Sequence, residues 1–466
     1  MTLNKYLGSP IRVFVWLGIV LATVSTSSAE WKEKVLYSFQ GGADGVVPIG
    51  GVVFDKEGNL YGATQQGGDT NCSPMAACGT IYQLTPPAKN GDPWTENVLH
   101  VFQGKQHNDG EFPSGGVIAD ASGNIYGTSS YGGNGDCVLL GIKGGCGTVF
   151  QLSPPQTKDG KWTYTILYSF KGGKDGYLPF GDLVFDSAGN LYGATYFGGG
   201  KGTTCDPYYQ YCGAIFELSP PKIQGDKWSD KVLHGFAGID KGKQFGDGAN
   251  PNGGLVLDSE GAIYGSTYFG GYNCTPNSVQ GCGTVFKLAP PARKDGVWVE
   301  TLLRRFGLKA SSDGVQPAAG LIFDRNGSLY GTTVGGGEGN FASGTIFRLT
   351  PQSNGTWRER VLYSFTDNND GGEPRAGLLD IRGTLYGTAT GGGSTGSGTM
   401  FRLRPSTGGT WVFTHLYEFM FTPDGAYPTS PLTLGASGSF FGTTQEGGTG
   451  QNCGYVGCGT VFKVSP

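Results

Sequence analysis

The stretch Asp182-Leu183-Val184-Phe185-Asp186-Ser187-Ala188-Gly189-Asn190-Leu191-Tyr192-Gly193-Ala194-Thr195 holds two short strand-like runs around one turn. Its apolar and aromatic residues suit a pleated, half-buried surface. Asp186 to Asn190 reads as a tight hairpin, with a glycine available for a positive φ. The pattern recurs along the chain. An aromatic-Gly pair closes it at Tyr61, Tyr126, Tyr192, Tyr264, Tyr330, Tyr386 and Phe441. Asp-Gly-x-x-Pro begins at Asp44, Asp109, Asp175, Asp247, Asp313, Asp370 and Asp424. Tryptophan marks the same period at Trp31, Trp94, Trp162, Trp228, Trp298, Trp357 and Trp411. Gly-[Thr/Ala]-apolar-aromatic, as in Gly147-Thr148-Val149-Phe150, recurs in step.

Each repeat carries four strand-like runs. In the third they are Thr163 to Phe170, Asp182 to Asp186, Asn190 to Thr195 and Gly213 to Leu218. No segment sustains a helical apolar period, so the mature chain is expected to be all-β. One four-stranded sheet cannot bury both faces, but blades packed in a ring can. The expectation is a single seven-bladed β-propeller of four-stranded antiparallel blades. Two smaller propellers and a β-solenoid compete, although solenoid repeats run to only ~20–30 residues. By analogy with other propellers, the Gly50 to Asp55 type of run is innermost and the Trp-containing run outermost. The chain then starts on an outermost strand, Trp31 to Phe39, and ends on a third strand, Gly459 to Val464. The two should pair and close the ring.

Composition narrows the function. Of 466 residues 86 are Gly, charged residues make up 15 % and the net charge is −4. A field so weak does not suit nucleic acid, which calls for a basic surface over phosphate. Glycine does not fall at every third position, which excludes collagen. Lys5 and Arg12 precede the apolar run Val13 to Val24, and Ser27-Ser28-Ala29 follows. This reads as a signal peptide over residues 1–29, followed by a propeller over 30–466. An uncleaved anchor is the alternative. No later stretch is apolar enough to span a membrane, and Val464-Ser465-Pro466 shows no anchor, so a secreted protein is expected, at the cell surface, in the periplasm or outside.

Ten cysteines fall into five local pairs: Cys72/Cys78, Cys137/Cys146, Cys205/Cys212, Cys274/Cys282 and Cys453/Cys458. Repeats five and six lack both members. Residues gained and lost together in an exported chain read as disulfides. Zinc is the rival, but the spacing varies and no His is near. His100 and His234 stand where other repeats have the Tyr of Leu-Tyr-x-Phe, and read as structural. His107 and His415 form no triad or metal cluster by spacing. No metal or other cofactor is expected, with calcium left open at Asp367-Asn368-Asn369-Asp370-Gly371, which lacks the loop ligand pattern.

Two sets of residues are candidates for ligand binding. The aspartates Asp44, Asp109, Asp175, Asp247, Asp313, Asp370 and Asp424 could ring one mouth of the central channel, or each could tie its own turn. The aromatics Tyr131, Tyr196, Phe197, Tyr268 and Phe269 follow the second strand in repeats two to four, where repeats one and seven carry Gln65-Gln66 and Gln445-Glu446. They suit sugar or peptide recognition, or packing beneath the disulfide loops.

Leu-Tyr-Ser-Phe-x-Gly-Gly-x-Asp-Gly, Asp-Leu-Val-Phe-Asp-x-x-Gly-Asn-Leu-Tyr-Gly-Ala-Thr and Gly-x-Ile-Phe-x-Leu-x-Pro together resemble the GloVer tandem repeat of exported bacterial proteins. The resemblance covers nearly the whole mature chain and implies no activity, substrate or catalytic residue. Kelch repeats fit the order and spacing poorly. A binding or scaffold module for an extracellular glycan or protein is therefore expected. The alternative is a secreted propeller enzyme, a polysaccharide lyase or hydrolase working from the loop-rich face. The asymmetric loops hold no convergent His/Asp/Glu/Arg cluster in sequence, which favours binding over catalysis.

Overall fold

A computed structural model describes residues 31–466 except 69–77, 90, 140–141, 158–159, 201–211, 224, 239–245, 273–280, 294–295, 308–311 and 339–342. The expected leader, 1–29, lies outside the described residues. Seven antiparallel blades form a ring, a seven-bladed β-propeller. In the third blade Tyr177–Phe185 is innermost, followed by Leu191–Phe197, Ala214–Ser219 and Ser229–Gly235. A strand Lys32–Ser38 pairs antiparallel with Thr460–Ser465, so the two ends of the chain complete the seventh blade as expected. No helix among the described residues is long and apolar enough to cross a membrane.

The hydrophobic core lies between blades. One cluster joins Tyr61, Ile81 and Phe102 of blade 1 to Ile125, Phe150 and Leu152 of blade 2. The repeat markers meet there. Trp162 of blade 2 packs on Tyr61 of blade 1 at 5.7 Å, and Trp411 of blade 6 on Tyr330 of blade 5 at 6.1 Å. The Phe ending each outer strand sits edge-on to the third-strand aromatic of the next blade. Phe236–Phe286 at 5.2 Å and Phe306–Phe347 at 5.1 Å are two of seven such pairs. Each adds about 0.5–1.5 kcal/mol beyond its buried area. The aromatic-Gly glycine makes room for that ring. A Cβ on Gly193 would stand 2.5 Å from the Phe216 ring.

The outer strand carries a bulge in every blade, as between Ile215 and Phe216 in the register of blade 3. The extra residue is the Leu of the Leu-Tyr-x-Phe segment, here Leu233. A bulge adds local twist and re-aims the side chains that follow.

Asp-Gly-x-x-Pro proves to be the latch between blades. The residue before its proline takes a left-handed conformation in all seven copies: Val47, Phe112, Leu178, Asn250, Gln316, Glu373 and Tyr427. Its N–H then reaches the preceding blade, as from Leu178 to the Cys146 carbonyl at 3.1 Å and from Glu373 to that of Ser343 at 2.7 Å. The disulfide half-cystine and the serine that replaces it in blades five and six therefore serve the same backbone acceptor. Cys137–Cys146 and Cys453–Cys458 are bonded as expected. Cys78, Cys212 and Cys282 are each in a disulfide. Their expected partners Cys72, Cys205 and Cys274 lie outside the described residues.

Candidate functional site

The inner strands converge on the axis with little room between them. A Cβ on Gly253 would collide with the Ala319 carbonyl oxygen, and one on Gly115 with that of Gly181. Glycine lets the strands approach closely enough for backbone to form part of the channel wall. The cavity there measures about 380 Å³ and is walled by all seven inner strands.

The wall is not sevenfold. Where other repeats place Gly51, Gly116, Gly254, Gly320 and Gly377, blade 3 has Asp182. One oxygen of Asp182 accepts the Gly116 N–H at 2.6 Å. Burial pushes the carboxyl up from its ordinary value, and that bond pulls it partly back. Immediately after the proline stand Phe180 in blade 3, Asn252 in blade 4, Arg375 in blade 6 and Thr429 in blade 7, and all four line the channel. The Arg375 guanidinium pairs with Glu373 at 2.8 Å, both side chains well exposed. Tyr427, Thr390 and Gln445 continue the polar side.

The aromatic candidates stand at the same end. Strand register pairs Tyr177 with Phe197, Ala249 with Phe269, and Val46 with Gln66, so the start of each inner strand and the end of each second strand share one face. Tyr196 and Tyr268 occupy the repeat position held by channel-lining Thr390 and Gln445 in blades 6 and 7. The Tyr196 ring lies 5.9 Å from that of Phe180 and 4.8 Å from that of Phe197. Tyr268 and Phe269 repeat the edge-on pair in blade 4 at 4.8 Å, and Tyr131 meets Phe112 at 5.8 Å. All five candidates are half-buried. The side chain of buried Asn250 donates to the Tyr196 carbonyl at 2.8 Å, which ties blade 4 to that segment.

The seven latch aspartates are engaged by the strand before each. Asp44, Asp175, Asp370 and Asp424 accept a tyrosine hydroxyl, from Tyr37, Tyr168, Tyr363 and Tyr417 respectively. Asp109 meets His100 at 3.0 Å, Asp313 binds Arg304, and Asp247 faces His234 at 3.5 Å. Backbone N–H groups complete each set, as from Gln40 to Asp44 at 2.7 Å. In the segment considered for calcium, Asp370 is further bonded by the Thr366 hydroxyl at 2.6 Å. The Asp367 carboxyl is raised by burial first, then by Glu373 and Asp370.

Asp182, Asn252 and Arg375 are functional candidates that the motif search missed. The available signal was departure from the repeat. Each stands where sister repeats carry a different residue.

Solved structures align with the chain at low identity. A glucose dehydrogenase-type oxidoreductase from Thermus thermophilus aligns over 93 % of this chain and 100 % of its own, at 14 % identity and a TM-score of 0.39. A fungal alcohol oxidase of the AA5 family, in complex with copper, aligns over 93 % of this chain and 76 % of its own, at 16 % identity and a TM-score of 0.50. No curated protein matches the sequence. The Gloeobacter/Verrucomicrobia repeat model matches residues 20–277 and 273–466. With that match spanning nearly the whole chain, and seven copies of the repeat building the seven blades, the protein belongs to the Gloeobacter/Verrucomicrobia repeat family.

Proposed function

We propose that this is an exported binding propeller whose axial mouth takes a glycan. The observation that carries this is the make-up of the mouth. Phe180 and Asp182 of blade 3, Asn252 of blade 4, Arg375 of blade 6 and Thr429 and Gln445 of blade 7 line the cavity, and the Tyr196 ring lies 5.9 Å from that of Phe180. A sugar offers an apolar ring face and a belt of hydroxyls, which suits aromatic surface beside hydrogen-bonding groups of mixed sign. Backbone amides exposed by the inner-strand glycines add fixed donors and acceptors that cost no side-chain entropy to order. The disulfides fit an oxidising compartment outside the cytoplasm.

The test is a glycan array probed with the oxidised protein, with and without calcium. Specific binding is expected, reduced tenfold or more by Tyr196→Ala and by Asp182→Asn, and unchanged by chelation. Binding that survives both substitutions, or no glycan binding by a folded sample, overturns the reading.

A further inference from the structure

A polar junction stitches each blade to the next near its outer edge, away from the axial mouth. The residue after the bulged Leu lies between the latch aspartate and a residue from the next outer strand. In six junctions that central residue touches its aspartate directly. Tyr37, His100, Tyr168, Tyr363 and Tyr417 do so at 2.5–3.0 Å, and Arg304 through its guanidinium. Between blades 3 and 4 the contact is open. His234 Nε2 stands 3.5 Å from Asp247 Oδ2 and 3.7 Å from Glu300 Oε2.

Those separations are too long for hydrogen bonds. The His234 side chain is only 5 % exposed, and its Nε2 has no hydrogen-bond partner among the described residues. At the corresponding place between blades 1 and 2 the contact is closed, with His100 Nε2 3.0 Å from Asp109 Oδ2. The spacing around His234 instead resembles that of ligands around a small cation. At the ~2.0–2.2 Å bond lengths of zinc with imidazole and carboxylate, tetrahedral ligands lie about 3.3 Å apart. The three atoms lie within 4.8 Å of one another, so a small inward shift closes the set. The Asp247 carboxylate is already oriented, since its other oxygen accepts the Ala237 N–H at 2.8 Å. Asp247 keeps 25 % of its side chain exposed, so one member of the set borders solvent.

We propose that His234, Asp247 and Glu300 bind one divalent transition-metal ion of the zinc class and clamp blade 3 to blade 4. One imidazole and two carboxylates make a mixed N/O set that favours zinc over calcium. This site is independent of the axial mouth.

The experiment strips the oxidised full-length protein with chelator, then titrates it with Zn2+ by calorimetry and with Co2+ by visible absorption. One equivalent of zinc is expected, with a tetrahedral cobalt spectrum and a raised Tm. His234→Arg is the decisive variant, because Arg304 already occupies the same position between two carboxylates one blade further on. It should fold, keep its Tm in chelator and lose zinc binding, while Glu300→Gln should weaken binding at least about tenfold. Failure of the folded wild type to take up zinc overturns the proposal. So does uptake that survives His234→Arg, including uptake lost instead in His107→Ala.

Discussion

The junction between blades 3 and 4 and the one between blades 4 and 5 are assembled from the same parts and finish differently. Each has the edge-on Phe pair, the left-handed latch residue, a latch aspartate and a glutamate from the next outer strand. In the second, Arg304 reaches both carboxylates, binding Asp313 directly and Glu359 at 2.7 Å. In the first, the shorter imidazole of His234 reaches neither within hydrogen-bond distance. The apolar layer is thus standardised around the ring, and the polar layer is where one blade pair differs from the next. Length and charge of a single side chain decide whether a junction closes on itself or leaves a space for an ion.

The largest effects should not separate the two junctions. Phe286→Ala and Phe347→Ala each empty a fully buried ring and should cost about 3–5 kcal/mol in urea unfolding. A difference between them above about 2 kcal/mol would break the claim of a standard apolar layer. The polar layer should separate them sharply. Arg304→Met strips the cation from Asp313 and Glu359, whose side chains are 1 % and 5 % exposed, and should cost about 3 kcal/mol. His234→Met in chelator should cost clearly less, since no close ion pair is lost. Equal losses would refute the contrast.

A third kind of junction has two carboxylates and, among the described residues, no cation paired with them. Glu33, beside Tyr417 and Asp424, is pushed up to about 8 by burial first and by Asp424 second. The folded chain therefore holds a proton there that the unfolded chain, with an ordinary glutamate, releases near 4.5. Stability from this group is fully present below about pH 4.5 and is lost as pH rises through about 8. Glu33→Gln keeps a neutral, hydrogen-bonding side chain, so its Tm should gain on the wild type steadily from about pH 5 to about pH 8.5. A gap that stays flat with pH would show that the junction does not hold the proton. The smallest effect is expected at Tyr363→Phe. It removes one hydroxyl bond to Asp370, 2.8 Å long, while the ring keeps its stack on Phe413, and should cost about 1 kcal/mol.

The strands, the blade count and the ring closure were legible because each is written locally and repeated. Asp186 shows how local. Its two oxygens accept the Ala188 and Asn190 N–H groups, the Asn190 side chain and the Tyr192 hydroxyl, all within six residues. A turn so closed can be read from its own letters. The latch aspartates were legible as a motif, and their bonds to the preceding strand follow from the same short range. The left-handed residue before each proline is not legible locally, because its N–H is satisfied by a carbonyl of another blade.

The amino-acid sequence by itself determined a seven-membered all-β repeat whose first and last strands must join. Period, turn chemistry and aromatic placement are properties of neighbours along the chain. Only the tertiary structure decided which departures from the repeat meet. Asp182 and Arg375 stand on one channel wall although blades 4 and 5 separate them in the chain. His234 and Glu300 are brought together because blades 3 and 4 pack face to face. The physical reason is that a ring of identical cores fixes where side chains must stand, while leaving the chemistry at the axis and the outer edge free to differ.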